Sequence, residues 1–185
     1  MSARAPTKLP PFTLLDEPYL AFSPSNPAHV DVHPLRGLVN FGPYSKGSFG
    51  GYTSRVRIAT VGPASAFRRR GELMRLLRDS HRPSDRSEYM PEYPGFEALF
   101  RVALESSPAE THVKWPEHLH DLPGDGEPSA RLFLAMEDAL RRLEALRSAF
   151  DVVLVHFPDS WSAATRTKFF DAHDALKALG AKYNI

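Results

Sequence analysis

The closing stretch FFDAHDALKALGAKYNI, residues 169–185, sets His173 and Lys177 four positions apart. That separation brings two side chains to one face of a helix. Asp171 is a favoured residue type for a helix N-cap, and Asp174, three positions on, makes a capping-box-like pair with it. The pair predicts a helix beginning near Asp171 with His173 in its first turn. Free backbone N–H groups and the positive end of the helix dipole attract an anion there, and a lysine one turn later adds a point charge. The preceding PDSWSAATRTKFF contributes Arg166, Lys168 and several hydroxyls. Together these residues have the chemistry of a small phosphate pocket. Against it, Asp171 and Asp174 repel an anion, and a histidine and lysine on an exposed helix face need no ligand at all. Phe169, Ala172, Leu176 and Leu179 recur at helical spacing and form the stripe expected to be buried.

Two other groups of residues could do chemistry. THVKWPEHLHD holds His112, His118, His120 and Asp121. It has neither a helical His-x-x-x-His pair nor a cysteine, so a zinc site would require a particular loop geometry, and solvated histidines are the simpler expectation. The turn VGPASAFRRRG resembles the strand-to-helix turn of dinucleotide sites. It is not G-x-G-x-x-G, and Pro63 removes a backbone donor where a phosphate would need one. Arg68, Arg69 and Arg70 read first as a solvated helix face.

The elements that must position these groups follow from hydrophobic patterning. RVRIATVG is an apolar, partly β-branched run and predicts a strand; PASAFRRRGELMRLLRDS then brings Phe67, Leu73, Leu76 and Leu77 near helical spacing. FEALFRVAL predicts a second strand, although Glu97 and Ala98 also permit a helical start, and 105–127 reads as a polar loop or insertion. SARLFLAMEDALRRLEALRSAF carries the strongest helical stripe, Leu132, Met136, Leu140, Leu143 and Leu146. DVVLVHF is a continuous apolar run, the pattern of a strand buried on both faces. Alternating strands and helices predict an α/β fold with a mostly parallel sheet flanked by helices. Ligands of such sheets lie outside the carboxyl ends of the strands, here after Val61 and Phe157. Residues 1–55, rich in proline and glycine, predict an extended N-terminal arm with loops, and 56–185 the α/β domain.

Composition narrows the function. The 185 residues are 42% hydrophobic with a net charge of +1, enough for a core and without the bulk charge of a general nucleic-acid or membrane binder. The absence of cysteine excludes disulfides and thiolate metal sites. No apolar run is long enough to span a bilayer, so the expected location is the cytoplasm.

Several segments in order resemble the short prokaryotic Argonautes. DEPYLAFSPSNPAHVDVHPLRGLVNFGPY is similar to their opening, with Gly37, Leu38, Phe41, Gly42 and Pro43 in the Gly-Leu … Phe-Gly-Pro turn. RVRIATVG and its helix resemble the start of their MID domain. YPGFEALFRVAL resembles the Pro-Gly-Phe-Glu segment, here Pro94, Gly95, Phe96 and Glu97, and DVVLVHFPD with DAHDALKALGAKYNI resembles the later strand, nucleotide-contacting loop and helix.

The resemblance implies a Rossmann-like MID domain that anchors the 5′ end of a guide RNA or DNA, with His173 at the first nucleotide and Lys177 on its 5′-phosphate. Arg166 and Lys168 would support the guide end, and Mg2+ could accompany the phosphate. It further implies target DNA recognised through the guide, and a continuation into a Pro-Thr-Gln segment and a PIWI domain that would begin about where the 185 residues stop. The implied partner is an APAZ-containing effector with a TIR, sirtuin-like or nuclease domain, acting in defence against invading DNA. No tetrad of carboxylates is evident in the sequence, so no catalysis is expected. The alternatives are a metal-dependent phosphohydrolase using His112, His118, His120 and the His173–Asp174 pair, or a non-catalytic scaffold whose arm binds a partner.

Overall fold

The computed structural model describes residues 15–47, 53–85 and 90–185. Parts of the predicted arm, 1–14 and 48–52, lie outside them. Within the arm, β1 (Leu20–Ala21) pairs antiparallel with β2 (Val30–Asp31), and α1 (Pro34–Phe41) follows. The arm is thus not wholly extended. Pro34, which suggests a break in the sequence, sits at the start of α1, where its missing N–H costs nothing. Asp31 pairs with Arg36 at 2.6 Å, and that guanidinium holds its carboxyl down to about 2. Gly37 makes room for the Phe22 ring, which a Cβ there would meet and displace.

The α/β body begins with β3 (Arg55–Pro63) and continues through α2 (Ala64–Arg78), α3 (Phe96–Phe100), β4 (Ala103–Ser106), β5 (His112–Trp115), α4 (Pro128–Glu144), β6 (Val152–Val155), α5 (Ser162–Thr165) and α6 (Ala172–Lys182). All four strands of the body are parallel, and the other three pair with β3. Ile58 is opposite both Ser106 and Val152, and Thr60 is opposite both His112 and Leu154. A strand has two edges, so β4 and β5 follow one another along one edge of β3 while β6 occupies the other.

The period-two alternation of β3 divides the core. Ala59 and Val61 face Leu132, Met136, Leu140 and Leu143 of α4, together with Phe150, Trp161 and Leu179. Val56 and Ile58 face Met74, Leu77, Leu104 and Phe96 on the α2 side. Leu132, Met136 and Leu143 are fully buried; side chains of this kind each contribute roughly 1.5–3 kcal/mol by leaving water. The protein is therefore α/β, with a parallel sheet flanked by helices on both faces.

Several expectations change. FEALFRVAL is a short helix and then a strand, because Arg101 adopts a left-handed backbone (φ 58) that ends α3. The stretch 105–127 contains β5, whose four residues are too short and too polar in their flanks to announce a strand. In α2 the buried positions are Ala66 and Met74, while Leu73 and Leu76 are exposed. Leu146 lies beyond the end of α4. Nor is β6 buried on both faces. Among the described residues it pairs on one edge only, and Val152 is exposed.

Between β4 and β5 the chain must leave the β3 edge and return to it. The Ser107 N–H and hydroxyl both donate to the Ile58 carbonyl, at 3.2 and 2.8 Å, and the fully buried Thr111 hydroxyl donates to the Pro108 carbonyl at 2.7 Å while contacting the Ser107 hydroxyl. Thr111→Val keeps the shape and removes this hydroxyl, while the Pro108 carbonyl keeps the Thr111 N–H and the Ser107 hydroxyl keeps the Ile58 carbonyl. The expected loss is about 0.5–1.5 kcal/mol, measured by urea unfolding.

Candidate anion-binding site

The loop after β6 is positioned by Trp161. Its side chain is fully buried, stacking on Trp115 at 5.9 Å between ring centres, and Trp115 stacks in turn on Phe157 at 5.8 Å. Ala164 of α5 is buried beside them in the same core. The chain then turns tightly: the Thr167 N–H donates to the Phe170 carbonyl at 2.8 Å, and Arg166 and Asp171 form an antiparallel bridge. This turn delivers Asp171 to the start of α6.

Asp171 caps α6 as expected. Its carboxylate accepts from the N–H groups of His173 and Asp174, at 2.9 and 3.4 Å. The reciprocal half of a capping box does not form among the described residues; the Asp174 carboxylate lies instead 3.5 Å from His173 Nδ1. Ala172 and Leu179 are buried and Leu176 is half-buried, but Phe169 is 90% exposed. Phe169 therefore does not belong to the buried stripe. It precedes the helix by three residues, so helical spacing does not govern its direction, and Phe170 packs on the core in its place.

With that face fixed, His173 and Lys177 line one groove of about 510 Å³, together with Val153, Val155, Leu176 and Ile185. The groove has an apolar floor from β6 and α6, and His173 and Lys177 in the first two turns of α6 form its polar wall. Arg166 and Lys168 stand apart from this lining. Arg166 Nε lies 3.7 Å from Asp171, and the Lys168 ammonium lies over the exposed Phe169 ring at 5.2 Å. Of the four expected site residues, His173 and Lys177 share the groove and Arg166 and Lys168 flank the turn leading to it.

Among the described residues the other histidines join no group of metal-ligating side chains. His112, on β5, accepts or donates at Nδ1 with the Thr60 hydroxyl at 2.7 Å, and Arg70 Nη1 lies 2.9 Å from its Nε2. His118 and His120 stack on one another 5.4 Å apart. Among the described residues the one group of metal-ligating side chains is Asp171, His173 and Asp174, whose ligand atoms lie within 4.8 Å of one another.

The α2 turn also has its anion supplied. Glu117 accepts from the Ser65 N–H and hydroxyl, both at 2.7 Å, so a carboxylate of the chain occupies the start of α2, and these hydrogen bonds lower its pKa. Sequence alone gave no sign of this contact, which joins residues 52 positions apart.

No protein-family model matches the chain, and no curated protein matches it. No helix among the described residues is long and apolar enough to cross a membrane.

Two outcomes are expected. Asp171→Ala should cost about 0.5–2 kcal/mol of stability, with Asp171→Asn restoring most of it, read from denaturant midpoints. Burial, aided by Arg70, lowers the His112 pKa. The unfolded chain thus takes up this proton first as pH falls, and stability should decline from about pH 6.5 downward, towards the lower folded-state pKa. His112→Gln should flatten this part of a stability–pH profile.

Proposed function

We propose that the chain is the guide-end-binding MID portion of a short, catalytically inactive prokaryotic Argonaute. The observation that carries this reading is the groove shared by His173 and Lys177, which runs along α6 from its first turn beside β6. In this assignment Lys177 binds the 5′-phosphate of a guide RNA or DNA, and His173 contacts the first nucleotide through its exposed ring. The apolar floor of Val153, Val155 and Leu176 accommodates the sugar and base edge. Arg166 and Lys168 follow the strand as it leaves the groove, their exposed side chains meeting the next phosphates.

The aspartates beside the groove oppose an anion unless a cation intervenes. Asp171 and Asp174 offer the carboxylate oxygens that Mg2+ prefers, so the proposal includes Mg2+ bound with the phosphate. The other partners follow from the same resemblance: target DNA paired to the guide, a PIWI portion, and an APAZ-containing effector with a TIR, sirtuin-like or nuclease domain. The setting is cytoplasmic defence against invading DNA, and the chain itself performs no catalytic step.

The test compares 5′-phosphorylated with 5′-hydroxyl oligonucleotides. The phosphorylated strand should bind more tightly, Lys177→Ala should remove about 1.5–3 kcal/mol of that preference, the range for hydrogen bonds to charged groups, and affinity should fall with salt. Equal affinity for the two strands, with no effect of Lys177→Ala, refutes the assignment.

A further inference from the structure

A second cavity, of about 290 Å³, opens on the α2 side of the sheet at the carboxyl ends of β3 and β6. Phe67, Leu73 and Leu154 give it apolar walls, and Arg69 and Arg70 supply its fixed positive charge. Glu72, the acidic residue of α2, is not part of the lining. Among the described residues no carboxylate lies within ion-pair distance of either arginine.

Arg70 is half-buried and only partly satisfied. Its Nη1 donates to the Thr60 hydroxyl at 3.2 Å and abuts His112, but its Nε is buried with no acceptor. Removing a guanidinium from water without a counter-charge is costly, and an anion in the cavity would offset that cost. The start of α2 cannot be where such an anion sits, because Glu117 already holds it. The cationic groups lie further along the helix, at positions whose side chains reach back over the strand ends.

We infer that this cavity binds a small organic anion with a flat apolar body, the chemistry that a mononucleotide presents. The acid group meets Arg69 and Arg70, and the flat body lies against Phe67, Leu73 and Leu154. The volume stands at the lower end of small-molecule pockets, roughly 300–1,000 Å³, and suits one ring system with one acid group. The position agrees with the general placement of ligands outside the carboxyl ends of parallel strands. This site shares no cationic residue with the α6 groove.

The experiment titrates the full chain with adenosine monophosphate, uridine monophosphate and inorganic phosphate, using calorimetry and amide chemical-shift mapping. At least one mononucleotide should bind saturably and more tightly than phosphate, with shifts centred on Gly62, Arg70 and Leu73. Arg70→Met should weaken it about tenfold or more, as loss of a charged hydrogen bond predicts; if that variant does not fold, Arg69→Met carries the test. Lys177→Ala should leave this affinity unchanged. The inference is overturned by the absence of saturable binding, by phosphate matching the mononucleotides, by indifference to the arginine variants, or by shifts confined to His173 and Lys177. The last of these outcomes would place the mononucleotide in the α6 groove and support the Lys177 assignment; the other three leave that assignment untouched.

Discussion

The α/β body depends on β3. Each of the other three parallel strands hydrogen-bonds to this nine-residue segment, and among the described residues none of them pairs with another. Its alternating side chains also divide the core, with Ala59 and Val61 committed to α4 and α6 and Ile58 to α2. Such a hub is stringent, because a one-residue slip in β3 would exchange its two faces and misregister three strands at once. The Arg57–Asp151 pair pins one of those registers. The Arg57 backbone N–H and guanidinium both donate to the Asp151 carboxylate, immediately before β6, while Arg57 also reaches the Ser148 carbonyl at 2.7 Å.

Because β3 sets both faces, it also sets two separate binding environments at its carboxyl end. On one face the strand ends meet α6, whose first turns present a histidine and a lysine above an apolar floor. On the other they meet α2, whose arginines border a half-open, largely apolar cavity. The two differ in how their cations are held. Lys177 is on an exposed helical face, free to follow a ligand, whereas Arg70 is fixed by Thr60 and His112. The first arrangement suits the end of a flexible strand and the second a compact molecule.

The sequence disclosed those parts of the fold that have strong local signals. β3, α2, α4, β6 and α6 are visible as apolar runs or helical stripes, and Asp171 identifies the beginning of α6 from its residue type alone. Where contacts are distant in sequence, local signals fail. β5 exists because His112–Trp115 finds the second half of β3, and its flanks read only as polar loop. Phe169 illustrates the limit of periodicity: the apolar spacing continues past the cap, where backbone direction is set by the 166–171 turn instead of by the helix. In the candidate site, the pairing of His173 with Lys177 was legible from spacing. The partial satisfaction of Arg70 was not, since it depends on Thr60 and His112, ten and 42 residues away.

Glu117 gives α2 an unusual independence. Helix starts with free N–H groups are ordinarily completed by whatever anion or water is at hand. Here a side chain from the loop after β5 fills that role, so the chain carries its own counter-ion at the turn where nucleotide-binding α/β proteins usually leave room for a guest. The fold is self-contained at that position, and recognition is displaced to other surfaces of the same sheet.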